Sequence, residues 1–124
     1  MATGRLLVLD DDATVGQILV AGAQTMGFQA RQFLDVPAFL DCLRRWEPTH
    51  VAVDLTLPGT SGAEVLRQVA QTGSRARVII CSGSDPGALD CALGIARELG
   101  LTTAGTLPKP FRLAALRQLL SLTD

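Results

Sequence analysis

Asp10, Asp11, Asp54, Ser82 and Lys109 each stand at or just past the end of a short apolar run. The runs are Leu6-Leu7-Val8-Leu9, His50-Val51-Ala52-Val53, Val78-Ile79-Ile80-Cys81 and the weaker stretch from Thr102 to Leu107. If these are parallel strands, their carboxyl ends share one rim, and open α/β sheets take their ligands there. Three carboxylates gathered on a rim repel: at about 4 Å and an effective dielectric near 20, each like-charged pair costs on the order of 4 kcal/mol. A divalent cation offsets that repulsion, and a ligand set of carboxylates with a backbone carbonyl suits Mg²⁺, which keeps several waters. Lys109 supplies a fixed positive charge on the other side of Asp54. Between lysine and metal, Asp54 is placed to attack a phosphoryl group as a nucleophile and become an aspartyl phosphate, with the Ser82 hydroxyl bonding a phosphate oxygen. Singly, each residue has a plainer reading: Asp10-Asp11-Asp12 as a helix-capping turn, Asp54 as a loop acid, Lys109 as a solvated lysine, Ser82 as a turn residue. Their common place at strand ends sets the group apart.

The elements that must position these groups fit one domain, residues 1–124, because a chain of 124 residues buries a real core but is too short for two ordinary ones. Hydrophobic residues make up 48% and charged residues 19%, a globular composition without the charge excess of a disordered chain. A formal net charge of -1 offers no long-range attraction to nucleic acid or an anionic membrane, so neither is expected as a partner. Three cysteines, Cys42, Cys81 and Cys91, lack CxxC spacing and have one histidine beside them in the whole chain. They are expected to be buried small apolar residues in a reducing cytoplasm, with no zinc site or disulfide. Neither a signal peptide nor an apolar run of the roughly 18 residues that span a bilayer is visible, which points to a cytoplasmic protein.

Apolar periodicity sets out the elements. Arg5 to Leu9 reads as a buried strand, followed by a helix with Val15, Ile18, Leu19, Gly22 and Met26 at helical spacing, Asp12 as its cap and Gly27 at its end. Phe28 to Leu34 reads as a second, more exposed strand with Ala30 and Phe33 inward. Asp35 opens a helix whose face is Phe39, Leu40, Leu43 and Trp46, closed by Pro48. His50 to Asp54 is the third strand, broken by Pro58-Gly59; Ser61-Gly62-Ala63-Glu64 has capping-box spacing ahead of a helix carrying Val65, Leu66 and Val69. Arg77 to Cys81 is the fourth strand. Asp85-Pro86 caps a helix through Leu89, Ala92, Leu93, Ala96 and Leu99 to Gly100. Thr102 to Leu107 is a fifth strand, and Leu113, Leu116, Leu119 and Leu120 form a closing amphipathic helix. Five strands alternating with five helices imply a parallel sheet covered on both faces, an α/β fold without internal repeats.

The ordered set of motifs resembles the receiver domain of two-component response regulators from Arg5 to about Leu120: Leu9-Asp10-Asp11, then Val53-Asp54-Leu55-Thr56-Leu57-Pro58-Gly59 with Gly62 following, then Ser82-Gly83, then Lys109-Pro110-Phe111. The resemblance implies a flavodoxin-like, doubly wound five-stranded parallel sheet of order 2-1-3-4-5, for which a receiver is a standard example. It further implies Asp54 as phosphoacceptor, Asp11 as direct Mg²⁺ ligand, Asp10 as a ligand through water and the Thr56 main-chain carbonyl as a third metal contact. Ser82 becomes the switch hydroxyl, Lys109 the phosphate-contacting lysine, and the Lys109-Pro110 bond is cis. Two departures stand out. Thr106 occupies the place where the family commonly has a switching Tyr or Phe. The stretch between Ser82 and Lys109 is longer than usual, which lengthens the fourth helix through Ile95-Ala96-Arg97-Glu98-Leu99; this longer form is similar to receivers attached to cyclic-di-GMP phosphodiesterase modules.

The expected function is a signalling module rather than an enzyme. It takes a phosphoryl group from a histidine kinase or histidine phosphotransfer protein onto Asp54, and signals to a downstream effector or through a homodimer by way of helix four, strand five and helix five. A haloacid dehalogenase-type phosphatase needs a second aspartate two residues after the nucleophile, and Thr56 stands there. A dinucleotide site needs a Gly-rich turn after the first strand, where Asp10-Asp11-Asp12 would repel a pyrophosphate. The remaining alternative is a receiver-like docking or dimerisation module that is never phosphorylated.

Overall fold

Alternation along the strands generates the two layers around the sheet. In β1 (Arg5–Leu9), Leu7 and Leu9 enter one apolar cluster while Leu6 and Val8 enter the other. β3 (His50–Asp54) divides likewise, Val51 and Val53 against Ala52, and β4 (Arg77–Ser82) divides as Val78 and Ile80 against Ile79 and Cys81. A strand that is apolar on both sides has to be covered on both sides, which is the condition for a parallel sheet between helices. The computed structural model describes residues 4–83 and 86–121. Its strands, completed by β2 (Gln29–Phe33) and β5 (Thr103–Pro108), pair in parallel in the order β2-β1-β3-β4-β5, the doubly wound order expected.

The first face is covered by α2 (Val36–Trp46), α3 (Gly62–Gln71) and α4 (Pro86–Glu98), the second by α1 (Ala13–Gln24) and α5 (Leu113–Ser121). Three helix starts follow from the side chains predicted to cap them. Asp12 Oδ1 accepts the N–H groups of Thr14 and Val15, Asp35 accepts from Ala38, and Ser61 Oγ accepts from Glu64 at 3.1 Å. Only half of the capping box forms: the Glu64 carboxylate binds the Arg67 guanidinium at 2.8 Å, one turn on. Asp85, read as the cap of α4, lies outside the described residues.

Several details differ from the periodicity. Helix α1 ends at Gln24 with Thr25 as its cap, so Met26 lies beyond it, and Gly27 takes the left-handed conformation at φ 85. Ile18 is 46% exposed because Gly16, Leu19, Gly22 and Ala23 form the inward stripe. Leu113, at the first turn of α5, is also exposed. Cys91 is exposed on α4, unlike the buried Cys42 and Cys81, so the expectation that all three are core residues fails there; all three are free thiols. Strand β5 runs one residue later than expected, and its pairing with β4 slips between Val78 and Ile79, opposite Gly105 at φ 147. Its side chains are only half-buried before Leu107. Helix α4, with 13 residues, is the longest of the five, in keeping with the long stretch before Lys109.

Candidate functional site

Parallel pairing carries the ends of β1, β3, β4 and β5 to one rim, and with them the polar residues singled out above. Asp10 follows Leu9 directly, Asp54 is the last residue of β3, Ser82 the last of β4, and Lys109 the residue after β5. Carboxylate oxygens of Asp10, Asp11 and Asp54 lie within 4.8 Å of one another. Asp10 and Asp54 are buried, Asp11 is exposed, and Ser82 is fully buried. The rim is tied together by main-chain bonds: Leu55 N–H donates to Cys81 O at 3.0 Å and Lys109 N–H to Ser82 O at 2.9 Å. The Lys109-Pro110 peptide is cis.

Lysine is arranged differently from the expectation of a charge on the far side of Asp54. Its Nζ donates to Asp10 Oδ2 at 2.8 Å and stands 3.5 Å from Asp54 Oδ2, so the ammonium bridges the two carboxylates and favours Asp10. Burial lifts the Asp10 carboxyl above its ordinary value; the bonds from Lys109 and from Asp12 N–H pull it down, the Asp54 charge pushes it up, and the net direction is upward. Burial alone would lower Lys109, but its bond to Asp10 and the neighbouring negative charges outweigh this and hold its proton above the usual lysine range. Surplus negative charge thus makes Lys109 a permanent cation.

Both buried carboxylates are oriented by the same local device. Asp12 N–H donates to Asp10 Oδ1 at 2.9 Å, and Thr56 N–H donates to Asp54 Oδ1 at 3.1 Å, in each case the residue two positions on. An aspartate at a strand end accepting from residue i+2 is an Asx-turn, which breaks the strand and aims the carboxylate at once. At Asp54 the Thr56 hydroxyl adds a second donor to the same oxygen at 3.0 Å. From sequence, the family resemblance implies only a main-chain role for Thr56; a threonine two residues after a strand-end aspartate is the signal for this side-chain bond. Gly62 also has a local reason: a Cβ there would lie 2.5 Å from Leu55 Cδ2 and 3.4 Å from Leu55 Cα, so glycine lets the segment after Asp54 fold against α3. Thr106, in β5 opposite Ile80, is half-buried.

The donor set is all oxygen, comes from three carboxylates of which two are buried, and lies beside the Lys109 ammonium. That chemistry fits a hard divalent ion with residual waters. A cleft of about 550 Å³ lies at the opposite end of the sheet, between the α2–β3 and α3–β4 connections, and contains none of these groups.

An open parallel sheet of order 2-1-3-4-5 with an acidic, lysine-bearing pocket at its strand ends defines a class of doubly wound α/β proteins. The profile of the response regulator receiver domain matches residues 6–121, and the chain belongs to that family, whose members generally serve as signalling switches. It is 29% identical over 127 aligned positions to the response regulator MprA of Mycobacterium sp. (strain KMS), covering 97% of this chain and 52% of that protein. To the transcriptional regulatory protein FixJ of Azorhizobium caulinodans it is 32% identical over 109 residues, 88% of this chain and 49% of the relative. The chain therefore spans about half the length of these curated relatives. Among solved structures, the chemotaxis response regulator CheY4 of Vibrio cholerae superposes with a TM-score of 0.78 at 18% identity, covering 94% of this chain and 95% of that one. A Burkholderia pseudomallei response regulator, solved with a phosphorylated aspartic acid, a calcium ion and citrate, gives 0.80 at 20% identity over 96% of this chain and 67% of that one. Both show the same fold. No helix among the described residues is long and apolar enough to cross a membrane.

Proposed function

We propose that the receiver unit, residues 1–124, accepts a phosphoryl group on Asp54 from the phosphohistidine of a kinase or phosphotransfer protein, and that the modified rim changes the affinity of an effector surface. The observation that carries this reading is the convergence of Asp10, Asp11 and Asp54 within 4.8 Å, bridged on one side by Lys109. An Asp54 oxygen attacks phosphorus; the bond from phosphorus to the donor nitrogen breaks and its electron pair stays on the imidazole. Lys109 turns from Asp10 towards the new phosphoryl oxygens, and the Ser82 hydroxyl donates to one of them. Asp11, Asp54 and the Thr56 carbonyl would hold Mg²⁺ directly and Asp10 through water; the ion would neutralise charge on the carboxylates and the transferred group. Asp10 Oδ1 and Oδ2 already accept from Asp12 N–H and Lys109, which supports an indirect role for that residue.

Added charge at the ends of β3 and β4 favours one arrangement of Ser82 and the neighbouring loops, and a partner that binds that arrangement better reads it out on α4, β5 and α5. That partner is an effector or a second copy of the chain. The proposed role is that of a cytoplasmic switch and not an enzyme with turnover. A small acyl phosphate with Mg²⁺ is expected to add one phosphoryl group to the wild type and none to Asp54→Ala by intact mass. Equal labelling of both proteins removes Asp54 as acceptor; no labelling of the wild type, with a kinase also supplied, favours the docking module.

A further inference from the structure

At rest the Asp54 carboxylate has no idle oxygen. Oδ1 accepts both the N–H of Thr56 at 3.1 Å and its hydroxyl at 3.0 Å, while Oδ2 faces the Lys109 ammonium at 3.5 Å. A carboxylate oxygen offers two in-plane lone pairs, so Thr56 alone saturates Oδ1. These donors are not equally removable. The N–H is held by the turn, and Lys109 is a charged group tied to two buried acids. The hydroxyl is neutral, rotates about one bond and belongs to an exposed residue, so on release it exchanges its partner for water at the modest net cost of one hydrogen bond.

We propose that the Thr56 hydroxyl is a removable cap on the acceptor carboxylate: it occupies one Asp54 oxygen at rest and must release it before that oxygen can take a divalent cation, so it sets the cation affinity of the rim. This inference rests on the reading of Asp54 as part of a cation site. It concerns the side chain of Thr56, separately from the main-chain carbonyl assigned above.

The test compares Mg²⁺ titrations of the unphosphorylated wild type, Thr56→Val and Thr56→Ser, followed by amide chemical shifts. Valine keeps the shape of threonine and removes the donor; serine keeps the donor. Thr56→Val is expected to bind Mg²⁺ about fivefold more tightly, the factor that corresponds to one net hydrogen bond of about 1 kcal/mol. Thr56→Ser is expected within about twofold of the wild type, which a purely structural role for the threonine methyl would not produce. Equal or weaker binding by Thr56→Val overturns the proposal, as does a serine variant that matches valine. Saturable binding lost in Asp54→Ala but equal in the other three proteins overturns the cap alone. No Mg²⁺ response in any of them overturns the cation site and the cap with it.

Discussion

Replacing Lys109 by methionine tests the electrostatic account of the rim. The ammonium stands 2.8 Å from Asp10 Oδ2 and 3.5 Å from Asp54 Oδ2. At an effective dielectric of about 20 these separations correspond to attractions of about 6 and about 5 kcal/mol before desolvation is counted. Desolvation cancels much of that, and removing one partner from a buried pair costs about 3 to 5 kcal/mol because the other is left uncompensated. The lysine side chain is 19% exposed, so water enters on its side and the lower end applies, about 3 kcal/mol. Urea unfolding at pH 7 and low salt is the assay, with an unchanged m-value required so that the midpoint reports stability. Mg²⁺ should then restore part of the loss, because a cation bound only by the native state stabilises it, and with the ammonium gone it no longer competes with Lys109 for the carboxylates. A deficit below about 1 kcal/mol, or one that Mg²⁺ leaves untouched, refutes the view that Lys109 neutralises a repulsive acidic cluster.

Two further substitutions probe the framework. His50 is buried with Nδ1 2.8 Å from Thr49 Oγ1, and burial together with the Arg77 charge pushes its imidazole down to about 4. Between about pH 6.5 and 4 the unfolded chain takes up a proton that the native state refuses, so stability falls as pH falls through that window; His50→Gln should remove about 2 kcal/mol of the loss between pH 7 and 4.5, and parallel urea curves at the two pH values for both proteins would show otherwise by an unchanged difference. Gly62→Ala forces a methyl group against Leu55, beside Asp54, and is expected to lower stability by about 1 to 2 kcal/mol and slow acyl-phosphate labelling of Asp54; a wild-type thermal midpoint and labelling time course would count against the packing described.

The sequence by itself determined the alternation of elements, because strands apolar on both faces and helices with one apolar stripe leave little choice but a covered parallel sheet. It also placed Asp10, Asp11, Asp54, Ser82 and Lys109 at strand ends, since a parallel sheet gathers the ends of its strands whatever their distance along the chain. Asp12, Asp35 and Ser61 were legible as caps because capping is decided within four residues. The inward stripe of α1 was less legible: Ile18 fits the helical period, yet the sheet and α5 select the face containing Gly16 and Gly22. Cys91 resembles Cys42 and Cys81 in composition and differs only in the side of its helix. Only tertiary structure decided the partners within the rim. Whether Lys109 sits on Asp54 or on Asp10, 99 residues away, depends on how far β5 carries it past β4, and that is a matter of register, which periodicity does not contain. The Thr56 hydroxyl was given a place by its spacing, but its bond to Asp54 Oδ1 follows from a side-chain rotation that the turn after β3 sets.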